Sequence, residues 1–279
     1  MSTLLRDRLV VSLAAVVWIA GTVLGTGLVG GGGVQSQGEG LFSDSATLIA
    51  PHGPAFGIWS VIYLLLAGYV LWQWLPRTDD SVRAARTRLP AAGSLVLNGV
   101  WLLVVFAGWL TISVAVMAGI VVCLGVILRR SASLPSEGPM AAVLVSATFG
   151  LYLGWICVAT CANIASWLVG LGIAAEGTGP TATTVGVLAV VVALAGYLLT
   201  RTPDRVLLAG LAAAITWGLA WVAVGRLTGD LRNQVVGLAA AVAALAVVAL
   251  WVWVATHGSR AVGQHRPMRS LPPQTTTAG

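Results

Sequence analysis

Charged side chains are scarce in this sequence: they make up 9% of its 279 residues, whereas apolar side chains make up 58%. A soluble domain carries roughly 25% charged residues. Because a chain this poor in charge cannot cover a water-facing surface with polar groups, the composition excludes a soluble globular protein. It predicts a membrane protein.

Apolar runs of about 20 residues are long enough to cross a hydrocarbon core of roughly 30 Å, and eight such runs are present. Lipid offers the backbone no hydrogen-bond partner, and the runs lack the alternation of strands, so we predict that all of them are helices. The predicted fold class is therefore all-α: a polytopic membrane helical bundle of about eight transmembrane helices. The predicted spans cover residues 9–29, 55–75, 91–109, 111–128, 141–172, 183–199, 205–225 and 234–256.

No Asp, Glu, Lys, Arg or His lies within the core of any predicted span. Ion-coupled transporters usually keep such groups at membrane depth, despite a cost of about 2.5–3.5 kcal/mol each. General acids, general bases and activated nucleophiles are missing from the interior as well. The sequence thus argues against a pump or proton-driven carrier and against a conventional hydrolase, and we expect a protein that is not an enzyme.

Cysteine is also rare, with Cys123, Cys157 and Cys161 all at membrane depth. An odd number without a partner outside the membrane argues against a disulfide framework. Cys157 and Cys161 are one helical turn apart, but no histidine or carboxylate accompanies them. We therefore predict no metal site.

The fifteen basic residues, all arginines, are distributed unevenly about the predicted spans. If the N-terminus is cytoplasmic, only Arg226 and Arg232 fall on the outer side. This asymmetry follows the positive-inside rule, so we expect a protein of the cytoplasmic membrane with both termini in the cytoplasm. The net charge of +6 is then explained by membrane topology, and we predict no nucleic-acid partner. The cytoplasmic arginines are those at positions 6, 8, 77, 83, 86, 88, 129, 130, 201, 205, 260, 266 and 269.

Polar segments divide the chain into three predicted parts. Residues 1–172 form a five-helix membrane domain, residues 173–257 a three-helix membrane extension, and residues 258–279 a disordered cytoplasmic tail. The longest outward connection, residues 30–54, has a length typical of a lid or a linker. The inward connection, residues 76–90, is predicted to be a solvated connector.

Nine of the twelve tryptophans fall into two groups. Those near span ends are typical of the aromatic belts of membrane proteins; they are Trp72, Trp74, Trp109, Trp167, Trp251 and Trp253. Trp59, Trp101 and Trp155 lie deeper, each with an aromatic or polar neighbour at helical spacing. In the fifth span, the residues at positions 152, 155, 159 and 163 share one helical face.

These deeper residues are the candidate ligand-binding set. If the second, third and fifth spans are neighbours, they line a cavity that opens outward beneath the first long loop. The alternative is ordinary helix packing, in which buried asparagines bond between helices at about 0.6 kcal/mol each and tryptophans fill space. The candidates are Trp59, Tyr63, Asn98, Trp101, Tyr152, Trp155, Ala159 and Asn163.

Three stretches resemble signature stretches of the TspO/MBR family, the tryptophan-rich sensory proteins related to the mitochondrial translocator protein. They read PHGPAFGIWSVIY at residues 51–63, LNGVW at residues 97–101 and YLGWICVATCAN at residues 152–163. The most specific is the last, because Tyr, Trp, Ala and Asn match the family face at fixed spacing. The resemblance covers roughly residues 9–172, the first five spans.

The resemblance implies a five-helix bundle with a pocket for a flat hydrophobic ligand, such as a porphyrin or a sterol, roofed by the first loop. The chain departs from compact members in three ways: the spacing from Phe56 to Trp59 is one residue shorter, Leu151 stands where proline is common, and three further spans follow. No cofactor follows from the residues themselves, and a porphyrin or haem ligand is implied by the resemblance alone.

We therefore expect a membrane protein that binds a small hydrophobic or aromatic ligand as a sensor or carrier, with membrane lipid around it. Three alternatives stay open: a facilitated transporter of a neutral or amphipathic solute, a structural partner of another membrane protein, and a membrane enzyme acting on a lipid-soluble substrate. The enzyme would need chemistry from the ligand or from light, or acids from loops such as Glu39 and Asp44. Assembly into a homo-oligomer is left open as well.

Overall fold

The computed structural model describes residues 2–25, 40–131, 134 and 137–257 of the chain. The described part is helical, with eight helices that are each long and apolar enough to cross a membrane, so the predicted fold class is confirmed. The predicted disordered tail, residues 258–279, lies outside the described residues. We number the helices α1 (Thr3–Gly25), α2 (Gly53–Trp72), α3 (Val82–Phe106), α4 (Leu110–Ser131), α5 (Pro139–Gly170), α6 (Thr178–Arg201), α7 (Arg205–Thr228) and α8 (Gln234–His257).

Successive helices run in opposite directions, so the two ends of the bundle differ. The end that carries the start of α1 and the end of α8 is called the terminal face. The opposite end is called the roof face, because residues 40–52 fold over it; these residues are called the roof segment. Leu48, Ile49 and Ala50 of the roof segment are buried, which shows that it packs on the helices beneath it.

The start of α3 corrects a prediction. Residues 76–90 were predicted to be a solvated connector, but α3 begins at Val82, where the Ser81 side chain accepts a hydrogen bond from the Ala84 amide. The prediction failed because it treated arginine as solvated. Arg83 is buried against Asp204 at 2.8 Å, and buried Arg88 donates to the carbonyl of Thr78 at 3.2 Å.

The first five helices form a closed ring in the order α1, α2, α5, α4, α3, each packed on the next and α3 packed on α1. The contact between α1 and α3 is the closest, and glycine makes it possible. A Cβ atom placed on Gly21 would lie 2.4 Å from the carbonyl oxygen of Gly99. Any larger residue at either position would therefore push the two helices apart.

The three remaining helices attach to this ring through α7, which packs on α5 and on α8, while α6 packs mainly on α8. Glycines again allow the close approach. A Cβ atom on Gly150 would lie 2.4 Å from the carbonyl oxygen of Leu207, and one on Gly154 would lie 2.4 Å from that of Leu211. The backbones of α5 and α7 are consequently in direct contact over more than one helical turn.

A polar cluster ties α3, α5 and α7 together at the terminal face. Asp204 caps α7 by accepting hydrogen bonds from the amides of the next turn, and it also pairs with Arg83. Ser146 donates to the same carboxylate at 2.6 Å, from a π-helical segment, Ala142–Ala147, near the start of α5. The ring and the extension are thus joined by an ionic cluster as well as by glycine packing.

Candidate ligand pocket

An aromatic cluster lies between α2 and α5, below the roof segment. The ring of Trp59 is 5.9 Å from that of Tyr152 and 6.1 Å from that of Trp155, both edge to face. Phe56 meets Trp155 in the same way at 5.8 Å. Edge-to-face pairs are worth about 0.5–1.5 kcal/mol each beyond their burial. The cluster therefore fixes the position of each ring.

A polar bridge joins α3, α4 and α5 on the other side of the cluster. The indole Nε1 of Trp101 donates to Oδ1 of Asn163 at 3.1 Å, and Nδ2 of Asn163 donates to Oγ of Ser113 at 3.0 Å. Both polar atoms of this buried amide are used in contacts between helices. Asn163 thus serves first to hold Trp101 in place.

Three of the sequence-predicted residues, one of them Tyr152 of the aromatic cluster, take part in hydrogen bonds between α3 and its neighbours. The hydroxyl of Tyr63 donates to Oδ1 of Asn98 at 3.1 Å. The hydroxyl of Tyr152, which is fully buried, points to the backbone carbonyl of Ser94 at 3.4 Å. These contacts join α2 and α5 to α3 and support the cavity wall from outside.

A cavity lies between the cluster and the roof segment. The predicted candidates among its lining residues are Trp59, Trp101, Trp155, Ala159 and Asn163. Sequence reasoning missed the remaining lining residues, although Ser166 continues the predicted face of α5 by one turn and Ala162 lies one turn after Ala159. The missed residues are Phe42, Ser43, Ala50 and Pro51 of the roof segment, with Phe56, Met117, Ala162 and Ser166.

The cavity is small in this structure. Its volume is about 40 Å³, which is room for about three water molecules. Pockets that enclose drug-sized ligands measure roughly 300–1,000 Å³. Phe42 of the roof segment contacts Trp101 edge to face at 6.3 Å and helps to close the space. A flat macrocycle would enter only if the roof segment moved.

Trp155 brings an unused hydrogen-bond donor to the cavity wall. Its side chain is 1% exposed, and among the described residues its indole Nε1 has no acceptor. A buried donor left unpaired costs about 1–3 kcal/mol. A ligand that offered an oxygen or nitrogen acceptor to this indole would remove that cost.

Glu39 and Asp44 are the loop acids named for the enzyme alternative. Asp44, the one that the structure describes, does not line the cavity. Oδ2 of Asp44 accepts a hydrogen bond from the Gly53 amide at 2.9 Å and lies 2.7 Å from Nδ1 of His52. Asp44 therefore fixes the turn that leads into α2. Glu39 lies outside the described residues.

Comparison with known proteins gives one finding. Residues 10–253 match a family model described as TSPO-like protein, a range that runs from α1 through most of α8. No curated protein and no solved structure gives a significant match. The match includes the three helices that follow the ring.

Proposed function

Because the chain belongs to the TSPO-like protein family, we propose that this multi-pass membrane protein binds a small, flat, hydrophobic or aromatic ligand in the cavity beneath the roof segment. A porphyrin or a sterol has the required shape. The observation that carries the proposal is the cavity itself, whose wall combines three tryptophans with a buried amide.

Each part of the wall has a distinct role in the proposed complex. Trp59 and Trp101 present ring faces and edges for stacking, and Asn163 holds Trp101 by a hydrogen bond. Trp155 supplies a donor for an acceptor on the ligand. The ligand is therefore flat, largely apolar and equipped with at least one carbonyl, carboxylate, hydroxyl or ring nitrogen.

The small cavity volume suits a sensor or carrier with a closed resting state. A ligand that binds only the open state shifts the population toward it, and the energy needed to open lowers the apparent affinity. On this proposal the roof segment rises and the Phe42 ring leaves Trp101 when ligand enters. We propose binding and not catalysis, since Asp44, the loop acid that the structure describes, holds the turn into α2.

The orientation proposed for the protein follows its arginines. In the described residues, the predicted cytoplasmic arginines lie at or near the terminal face, whereas Arg226 and Arg232 lie toward the roof face. With the terminal face in the cytoplasm, the cavity opens to the outside of the cytoplasmic membrane. Residues 1–172 then form the ligand-binding part and residues 173–257 an extension that supports it.

Ligand titration of the purified protein tests the proposal. Protoporphyrin, haem and a sterol are titrated separately, and the dissociation constant is taken from intrinsic fluorescence and, for the porphyrins, from the shift of their own absorbance. We expect saturable binding by the wild type and a dissociation constant at least tenfold higher for Trp155→Ala. The absorbance readout matters, because it does not depend on the tryptophan that is removed.

Trp253→Ala is the matched control, since Trp253 is 55% exposed near the end of α8 and stacks on His257. This variant should bind as the wild type does. Equal dissociation constants for Trp155→Ala and the wild type, with both proteins folded, would show that the cavity is not the binding site.

Facilitated transport is the second candidate function, because α5 borders a cavity at each end. Besides the cavity below the roof, a second one of about 290 Å³ opens at the terminal face, where Arg83, Glu137, Ser146 and Asp204 contribute to its lining. Phe149, at 2% exposure, lies along α5 between Ser146 and Trp155. Uptake of a neutral solute into proteoliposomes above the protein-free rate would favour transport, and uptake equal to that rate would favour binding alone.

A further inference from the structure

The roof segment is attached to α7, a helix outside the five-helix ring. The His52 amide donates to the carbonyl of Trp221 at 3.1 Å, although that carbonyl lies inside a helix. The indole Nε1 of Trp217 donates to the carbonyl of Ala55 at 2.9 Å, in the first turn of α2. Two successive turns of α7 thus hold the end of the roof segment and the start of α2.

Arg226 holds the middle of the roof segment. Its side chain is fully buried, and Nη1 donates to the carbonyl of Thr47 at 3.3 Å while Nη2 donates to the carbonyl of Asp44. These carbonyls lie in turns and not in a helix, so a guanidinium with several donors in a fixed plane is suited to collect them. Asp44 and Glu176 are the acids whose charge acts on this arginine.

Close packing accompanies these hydrogen bonds. A Cβ atom placed on Gly225 would lie 3.3 Å from Cβ of His52, so the roof segment rests directly on the α7 backbone. The ring of His52 is 6.0 Å from that of Trp221, which in turn meets Trp217 at 5.6 Å. The contact is therefore a fitted surface made of polar and apolar groups.

The residues held by α7 alternate along the chain with those that close the cavity. Phe42 and Ser43 line the cavity immediately before Asp44, and Ala50 and Pro51 line it between Thr47 and His52. Because the segment is short, its cavity-lining residues cannot rise while Asp44, Thr47 and His52 stay bound to α7. The attachment to α7 and the closure of the cavity are thus one mechanical unit.

We propose that Trp217, Trp221, Gly225 and Arg226 form a latch that holds the roof segment closed, so that the helices beyond the ring set how fast a ligand enters and how tightly it binds. The proposal rests on the proposed function for its ligand, but the latch itself exists in the ligand-free protein. Its weakening raises the open population, so ligand enters faster and binds more tightly.

Hydrogen exchange of the ligand-free protein in nanodiscs tests the latch. The His52 amide donates to the carbonyl of Trp221 in α7, so it is protected while the roof is closed. In Arg226→Gln we expect exchange of peptides covering residues 46–52 to be at least tenfold faster, with α4 unchanged. Arg232→Gln is the matched control, since exposed Arg232 donates only to the carbonyl of Gly229 among the bonds described for it.

A second pair of variants guards against a loss of folding. Gly225→Leu forces the roof segment away from α7, whereas Gly186→Leu adds the same side chain where no atom lies within 4 Å. Faster exchange confined to the roof peptides in Arg226→Gln and in Gly225→Leu supports the latch. If hydrogen exchange of the roof peptides equals that of the wild type in both variants, the latch proposal is wrong. If one variant also shows faster exchange in α4, that variant has a folding defect, and the other variant decides.

Stopped-flow binding of protoporphyrin measures the consequence for ligand exchange. Arg226→Gln should raise the association rate constant and lower the dissociation constant, each about tenfold, with little change in the dissociation rate constant, because the ligand binds only the open state. Arg232→Gln should change none of them. Unchanged rate constants despite faster hydrogen exchange would overturn the gating role. If the wild type binds none of the ligands tested, the proposed function fails, while the hydrogen-exchange result still decides whether the latch exists.

Discussion

The two faces of α5 differ in what they bring against the neighbouring helices. Toward the ring interior, Trp155 and Asn163 project large or polar side chains and leave an unfilled cavity. Toward α7, Gly150 and Gly154 bring the backbone itself into contact and leave no space for a Cβ atom. One helix therefore carries a face that can accommodate a ligand and a face that fixes the distance to its neighbour.

This difference indicates where the protein tolerates change. Membrane helices gain little from burying apolar surface against each other, because lipid is equally apolar, so close backbone packing contributes most of their association. The glycine face should then control stability, and the aromatic face should control binding. Substitutions of similar size on the two faces separate these effects.

Gly154→Leu is expected to have the largest effect. Its Cβ atom would lie 2.4 Å from the carbonyl oxygen of Leu211, and backbone cannot be displaced cheaply. Overpacking of this kind costs about 1–3 kcal/mol and at times more. Thermal unfolding in detergent should show a clear loss of stability, and a melting temperature equal to that of the wild type would mean that α5 and α7 are not in direct contact.

Ala159→Leu places the same side chain on the opposite face of the helix. Ala159 lines the cavity, so the added carbon atoms enter the free space instead of meeting backbone. We expect stability within about 1 kcal/mol of the wild type, since the cavity absorbs part of the added volume. The dissociation constant for protoporphyrin should rise at least tenfold, and an unchanged value would place the ligand elsewhere.

The aromatic face was predictable from sequence, whereas the glycine face was not. Tyr152, Trp155, Ala159 and Asn163 repeat at helical spacing, and spacing of this kind is visible in one dimension. In a chain with 34 glycines, the spacing of Gly150 and Gly154 carries no comparable signal. Only the position of α7 in space distinguishes them.

The roof and its latch were beyond sequence reasoning for a different reason. The length of residues 30–54 predicted a lid or a linker, but nothing in its composition identifies which side chains face the cavity. Arg226 was counted as one of two arginines on the outer side, and its contact with carbonyls about 180 positions earlier depends on tertiary structure. Long-range pairs between a side chain and backbone carbonyls leave no periodic pattern.

The smallest expected effect concerns Asp204, which ties the terminal end of the glycine face to α3. Burial acts to raise the pKa of this carboxyl, but hydrogen bonds from Ser146 and the Leu207 amide, together with Arg83, outweigh it, so the pKa lies below its ordinary value of 3.8. A carboxyl whose pKa is lowered by folding stabilises the protein above its unfolded pKa and loses that contribution as the pH falls through its folded value. Thermal stability attributable to this group should therefore be level from pH 7 to pH 5 and begin to decline only below about pH 4.

Asp204→Asn removes the titrating group. When the thermal stability of each protein is normalised to its own value at pH 7, the variant should lose less stability below about pH 4 than the wild type does. The difference between the two normalised profiles isolates Asp204 from the other carboxylates. If the variant declines as steeply as the wild type below pH 4, the polar cluster does not stabilise the junction. Direct contact along Gly150 and Gly154 would then be the main link between α5 and α7 that the structure describes.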